Sequence, residues 1–160
     1  MVARIAPIAP PARQRGAMLL EALMGILIFS LGVLAMVALQ ALSINSQADA
    51  KYRADAAYLA GQIAGLMWTD RANLANYQHR PTGGGTSCDP TGADSPSATV
   101  AGSNMKGWLD NVSAALPGAV SQRQQILFLV AAGNEVTITI CWKAPQETIW
   151  HNYRLITHIN

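Results

Sequence analysis

Arg15-Gly-Ala-Met-Leu-Leu-Glu21-Ala-Leu-Met-Gly-Ile-Leu-Ile-Phe-Ser30-Leu-Gly-Val-Leu-Ala-Met-Val-Ala-Leu39 is the stretch that decides how this chain is read. From Ala22 to Leu39 it holds 18 residues with no charge and a single polar side chain, Ser30. A membrane helix needs roughly 17 to 25 apolar residues, so the length fits. Glu21 sits at the edge of the run. A charge near the bilayer centre costs roughly 2.5 kcal/mol or more. An isolated anchor gains nothing from that carboxylate. A helix that must find a positive partner inside the membrane does. The plain alternative is a glutamate at the membrane interface, partly solvated.

Upstream, residues 1–12 carry Pro7, Pro10 and Pro11 among alanines and apolar residues. Proline in a helix interior removes a donor and clashes with the preceding turn, so no stable helix is expected there. Arg4, Arg13 and Arg15 give this leader its charge, as the positive-inside rule asks of a cytoplasmic flank. The whole chain carries 11 basic and 9 acidic side chains. Without those three arginines the balance is 8 to 9, a net charge of −1. Basic character therefore belongs to the leader and argues against a nucleic-acid surface on the remainder. The absence of basic–aromatic interleaving agrees. A secretory signal is the rival reading of the N-terminus, with Ala41-Leu42-Ser43 as its small-x-small cleavage site. Its apolar core spans only 7–15 residues in general, and it leaves Glu21 without a role.

Downstream, Ala48, Tyr52, Ala56, Leu59, Ile63 and Leu66 recur at steps of three and four. That spacing draws one apolar stripe along a helix. Asp49–Arg53 and Lys51–Asp55 are opposite charges at i, i+4 on other faces. No proline interrupts residues 17–79, so the helix is expected over about residues 17–75. Its first half, 17–44, is apolar all round; its second, 45–78, is amphipathic and needs a partner on one side. Gly25 and Gly32, and Gly61 and Gly65, suit either ordinary helix glycine or close helix approach.

Residues 79–160 read as a small α+β head on about the scale of one domain. Residues 79–103 are rich in Gly, Pro, Ser and Thr and predict a long loop. Ser103 or Asn104 can cap a short helix to about Ala115, with Trp108, Leu109, Val112 and Leu116 on its inner face. Leu116-Pro117-Gly118 ends it. Residues 125–131 form a β-favouring run, and Gly133-Asn134 is a turn signal. Residues 135–142 alternate, with Val136, Ile138, Ile140 and Trp142 on one face and Thr137, Thr139 and Cys141 on the other, which predicts a half-buried strand. A third strand is expected over about residues 148–159. An antiparallel meander packed on the amphipathic half-helix satisfies both apolar faces.

A basic leader, Gly16, an apolar run and Glu21 five residues past the glycine resemble the class III signal of type IV prepilins and pseudopilins. Leu20-Glu21-Ala22-Leu23, Phe29-Ser30-Leu31-Gly32-Val33-Leu34, Leu39-Gln40 and Tyr52-Arg53-Ala54-Asp55-Ala56-Ala57-Tyr58-Leu59-Ala60 are similar to the PilV family of type IV pilus minor pilins, the pilus modification proteins. The likeness covers about residues 13–75. It is looser in the head, through Trp108, Leu116-Pro117-Gly118 and Cys141-Trp142. It implies a pilin-like α+β fold and a prepilin peptidase cut between Gly16 and Ala17. It also implies N-methylation of Ala17, although the family usually has Phe at that position. Residues 1–16 would be the leader. Glu21 would meet the free amine of a neighbouring subunit's Ala17 and set axial register. The implied partners are other minor pilins, the major pilin and inner-membrane lipid. The implied place is the inner membrane with a periplasmic head, then the pilus at the cell surface.

Cys88 and Cys141 lie in the part that would be exported, where an oxidising compartment favours a disulfide. Two free thiols are the alternative. A metal reading lacks further ligands at zinc-like spacing, so no metal is expected, and no cofactor motif is present. Gly83-Gly84-Gly85 follows no strand and has no lysine after it, so it is not a phosphate loop. His79, His151 and His158 read as surface histidines, with His151 and His158 on opposite faces of one strand. The acids show no dyad spacing, and an enzyme is not expected. The leading function is a minor pilin that helps to prime pilus assembly and supports adhesion and motility. A minor pseudopilin of type II secretion is the alternative. A periplasmic enzyme or binding module on an uncleaved anchor stands behind both.

Overall fold

The computed structural model describes residues 15–95, 99–145 and 147–160. Apart from Arg15 and Gly16, the expected leader lies outside them, as do residues 96–98 of the expected loop. The chain divides into two compact units, one ending at Ser46 and one running from Gln47 to Asn160. Helix α1 (Arg15–Thr69) runs through both.

The fold is α+β. Within the second unit, α1 lays its inner stripe against a head built from α2 (Val100–Ala115) and a three-stranded antiparallel sheet. The sheet order is β3 (Gln125–Leu129), β4 (Glu135–Trp142), β5 (His151–His158). The helix residues in the core are Ala56, Leu59, Ala60, Ile63, Ala64 and Met67. They recur at three- and four-residue steps, and Tyr52 and Leu66 pack at the margin. The alanines leave room for the bulky Trp108, Ile138 and Trp142 of the same core. The Trp108 indole N–H donates to the Leu59 carbonyl at 2.8 Å, so this large side chain is buried without an orphaned donor. The charge pairs expected at Asp49–Arg53 and Lys51–Asp55 do not form. Asp49, Lys51 and Arg53 face solvent and Asp55 is half-buried, and at an exposed site holding two long side chains together gains little.

Helix α1 stops at Thr69, six residues short of the expectation, and a 3₁₀ turn follows over Arg71–Tyr77. Asp70 makes the break. Its backbone leaves the helical region at φ −123°, ψ 47°. Its carboxylate accepts from the Asn73 amide at 2.6 Å and from the Tyr77 hydroxyl at 3.3 Å. A short acidic side chain that bonds locally competes with helix continuation. Helix α2 begins earlier than expected. Thr99 is its cap and accepts from the Gly102 N–H at 2.9 Å, so Ser103 and Asn104 lie inside the helix. Gly118 follows at φ +63°, where a Cβ would stand 2.9 Å from the Lys143 carbonyl oxygen.

The β3–β4 hairpin turns through left-handed Gly133 and Asn134. Strand β4 corrects one expectation: residues 136–142 are all buried, so the strand is covered on both faces. Val136, Ile138, Ile140 and Trp142 join the main core. On the other face, the supposed open loop folds back. It contains the short pair β1 (Thr82–Gly83) and β2 (Pro90–Thr91). The Gln125 side chain, in register with Thr139, holds it by donating to the Arg80 and Gly83 carbonyls at 3.0 and 2.9 Å. The same amide accepts from the Gly85 N–H. Gly84 sits at φ +73°, and a Cβ there would lie 2.8 Å from the Gln125 amide oxygen.

Tyr77 ties the end of α1 to α2. It donates to Asp70 and accepts from the Asn104 amide at 3.1 Å. Burial pushes its phenol above the ordinary 10.0; the Asp70 charge adds to this and the Asn104 bond opposes it. The unfolded chain therefore loses this proton first as pH rises. The stabilisation is complete below the ordinary tyrosine range and is lost through the folded value. We expect denaturant midpoints of the full chain in detergent to fall between about pH 9 and about pH 11. Tyr77→Phe should flatten that fall. An equal slope in both proteins would assign it elsewhere.

Candidate functional site

Two arrangements carry the chemistry. The first is the start of α1. Gly16, Ala17 and Glu21 are all helical. Ala17 and Glu21 are one turn apart, at i and i+4, so they share a face. Every described side chain from Gly16 to Gln47 is exposed, including Met18 at 77% and Phe29 at 71%. This part of the helix is long and apolar enough to cross a membrane. The Ser30 hydroxyl donates to the Ile26 carbonyl at 2.7 Å, so the single hydroxyl of the 18-residue run is satisfied within the helix. No described side chain pairs with Glu21. Gly25 and Gly32 have nothing within 4 Å of an added Cβ, so packing among the described residues does not require either.

The second arrangement centres on Cys88 and Cys141. Their sulfurs are bonded at 2.02 Å, with Cα atoms 5.8 Å apart. Cys141 is in β4 and Cys88 in the folded-back loop, so the bond fastens that loop over the sheet. Two side chains absent from the sequence reading support it. Arg123 donates to the Cys88 carbonyl and the Asp89 carboxylate, both at 2.8 Å, and lies 5.1 Å from the Trp150 ring. Gln124, fully buried, donates to the Cys141 carbonyl at 3.0 Å and accepts from its N–H at 2.8 Å. A side-chain amide thereby mimics one more rung of the ladder. The sequence signal was thin: Arg-Gln-Gln before an apolar run reads as solvent-exposed polar residues.

The histidines do not converge. His151 stacks on Trp142 on the inner face, ring centres 5.8 Å apart, and contacts Glu147. His158 stands across the register from Glu135 on the outer face. His79 corrects the surface reading, being 1% exposed. Its Nε2 lies 3.0 Å from the Ser121 carbonyl, and its Nδ1 accepts from the Ser95 N–H at 3.3 Å. Both ring nitrogens meet backbone groups, which makes the side chain a structural pin. A groove of about 590 Å³ runs between α1 and α2, lined by Lys51, Asp55, Tyr58, Gln62 and Asn111 among others. It holds no histidine or cysteine.

Comparisons with protein-family models, with curated proteins and with solved structures each return no match.

The disulfide closes a 53-residue separation, worth about 4 kcal/mol by the chain-entropy model. We expect Cys88→Ala/Cys141→Ala to lower unfolding stability by about that amount. The amides of residues 83 and 85 should exchange faster before the core amides of β4 do. Uniform loss of protection would show that the bond supports the whole head rather than the loop.

Proposed function

We propose that this chain is a minor pilin, held in the bacterial inner membrane and incorporated at low copy into type IV pili. A prepilin peptidase would cut between Gly16 and Ala17 and leave the Ala17 amine, which can be methylated, at the head of α1. The observation that carries the reading is Glu21. It is a carboxylate with no partner among the described residues, one helical turn from Ala17, at the edge of an apolar segment whose described side chains are exposed on every side. A lone charge there is costly, and an amine brought beside it offsets much of the cost. The neighbour's Ala17 amine supplies such a partner, and the pair would fix how far one subunit slides along the next. The other minor pilins and the major pilin are the partners. The role is structural: it primes assembly and supports adhesion and motility, with no reaction in this chain.

Two measurements test this. Intact-mass and N-terminal analysis, with and without co-expressed prepilin peptidase, should give a new N-terminus at Ala17 only with the peptidase. An intact leader, or a cut near Ser43, overturns the reading. Glu21→Ala should still be cleaved and inserted, but its recovery in sheared pili should fall about tenfold or more, as when one member of a buried pair is removed. Loss of protein secretion with pili intact, on deleting the chain, would assign it to a type II secretion system.

A further inference from the structure

The outer face of the sheet is only half covered. Register places its side chains in rows: Leu129–Glu135–His158, then Leu127–Thr137–Ile156, then Gln125–Thr139–Arg154. The disulfide loop covers the third row through Gln125, and Asn152 beyond it donates to the Thr86 carbonyl at 3.2 Å. The flanking members of the first two rows stay open, while Thr137 between them is buried at 3% exposure. Ile156 is 50% exposed and Leu129 40%, and Val130 beside them is 69% exposed. Arg154 borders this apolar strip, is exposed, and has no ion pair or hydrogen bond among the described residues. At the opposite end stands Glu135, with the His158 ring 3.9 Å away.

The strip is thus apolar in the middle, cationic at one end and anionic at the other. Such a surface is complementary to itself under a two-fold rotation. In an isologous interface residue i meets residue j, and j meets i. An axis near Ile156 sets row two against row two. It brings Arg154 of each copy towards Glu135 of the other, and the two pairs form together. We propose that the open half of this sheet face is a self-association surface, and that its occupant is the same face of a second copy of this chain. The few exposed side chains on each side make a contact well below the ~800 Å² per partner of a standard interface. The dimer is therefore weak in dilute solution and favoured where the chains are concentrated, as in one membrane. The inference is independent of the pilin reading and goes beyond it.

The test uses the full chain in lipid vesicles carrying Ile156→Cys. The native disulfide occupies both natural cysteines. The expected result is a reducible dimer under mild oxidation. Its yield should fall about tenfold with Arg154→Glu or Glu135→Arg, each of which turns two attractions into two repulsions. The Arg154→Glu/Glu135→Arg double variant restores the attraction with the signs exchanged, so its yield should recover. Unchanged far-ultraviolet circular dichroism of each single variant shows that it is folded. Absence of the dimer, a yield indifferent to the single reversals, or no recovery in the double variant overturns the proposal. None of these results bears on cleavage after Gly16.

Discussion

The burial of one stripe of α1 is the contact on which the head depends. Ala56, Ala60 and Ala64 alternate along it with Leu59, Ile63 and Met67. Small residues at every fourth place let neighbouring groups approach the helix closely, and the larger ones fill the space beside them. A head of this size has little core to spare. It gathers Trp108, Trp142, Ile138, Ile140 and Met105 around that single stripe, so β4 and α2 are both fixed by reference to the helix. The Trp108 bond to the Leu59 carbonyl then sets α2 against α1 at one point along the axis.

The same scarcity explains the second cover on β4. A three-stranded sheet with one face on the core leaves its other face to water. Here the loop before α2 closes part of that face. It consists largely of residues that pack poorly, so it is held by bonds of other kinds: a disulfide, the Gln125 amide and the Arg123 guanidinium. Two of these three act on backbone carbonyls, which satisfies polar groups that would otherwise be buried without partners. The loop can therefore be compact without an apolar core of its own. The hydroxyls of Thr137 and Thr139 are buried with no partner among the described residues, a cost that the rest of the packing offsets.

The sequence was most legible where period and composition act alone. The apolar run, the stripe at 48–66 and the alternation at 135–142 each belong to one local geometry. The α+β plan followed from them, the turn from the Gly133-Asn134 dipeptide, and the pairing of Cys88 with Cys141 from two cysteines in a part expected to be exported. Legibility failed where a side chain's role depends on a distant backbone. Gln124 and Gln125 look like surface residues until β4 and the loop arrive on either side of them. His79 looks free until Ser95 and Ser121 enclose it. Asp70 ends α1 through bonds to Asn73 and Tyr77, and nothing in the period of the stripe announces that end. At the start of α1, Glu21 stands out in the sequence because it contradicts its surroundings.

That contradiction also shows what an apolar helix lacks. Eighteen uncharged residues in lipid make contacts that change little when one helix slides along another. Dispersion is short-ranged and nearly indifferent to which methyl meets which. Such a surface gives attraction without position. A single ionised group reverses the balance: its contribution to affinity is small or negative, yet only one offset satisfies it. The argument is the one that lets a lone buried polar residue fix the register of paired helices at a cost in stability. In the proposed reading Glu21 does this for α1, and its position one turn from Ala17 follows from the same need. A carboxylate deep in the run would be too costly to insert. One outside the run would be screened by water and would specify nothing.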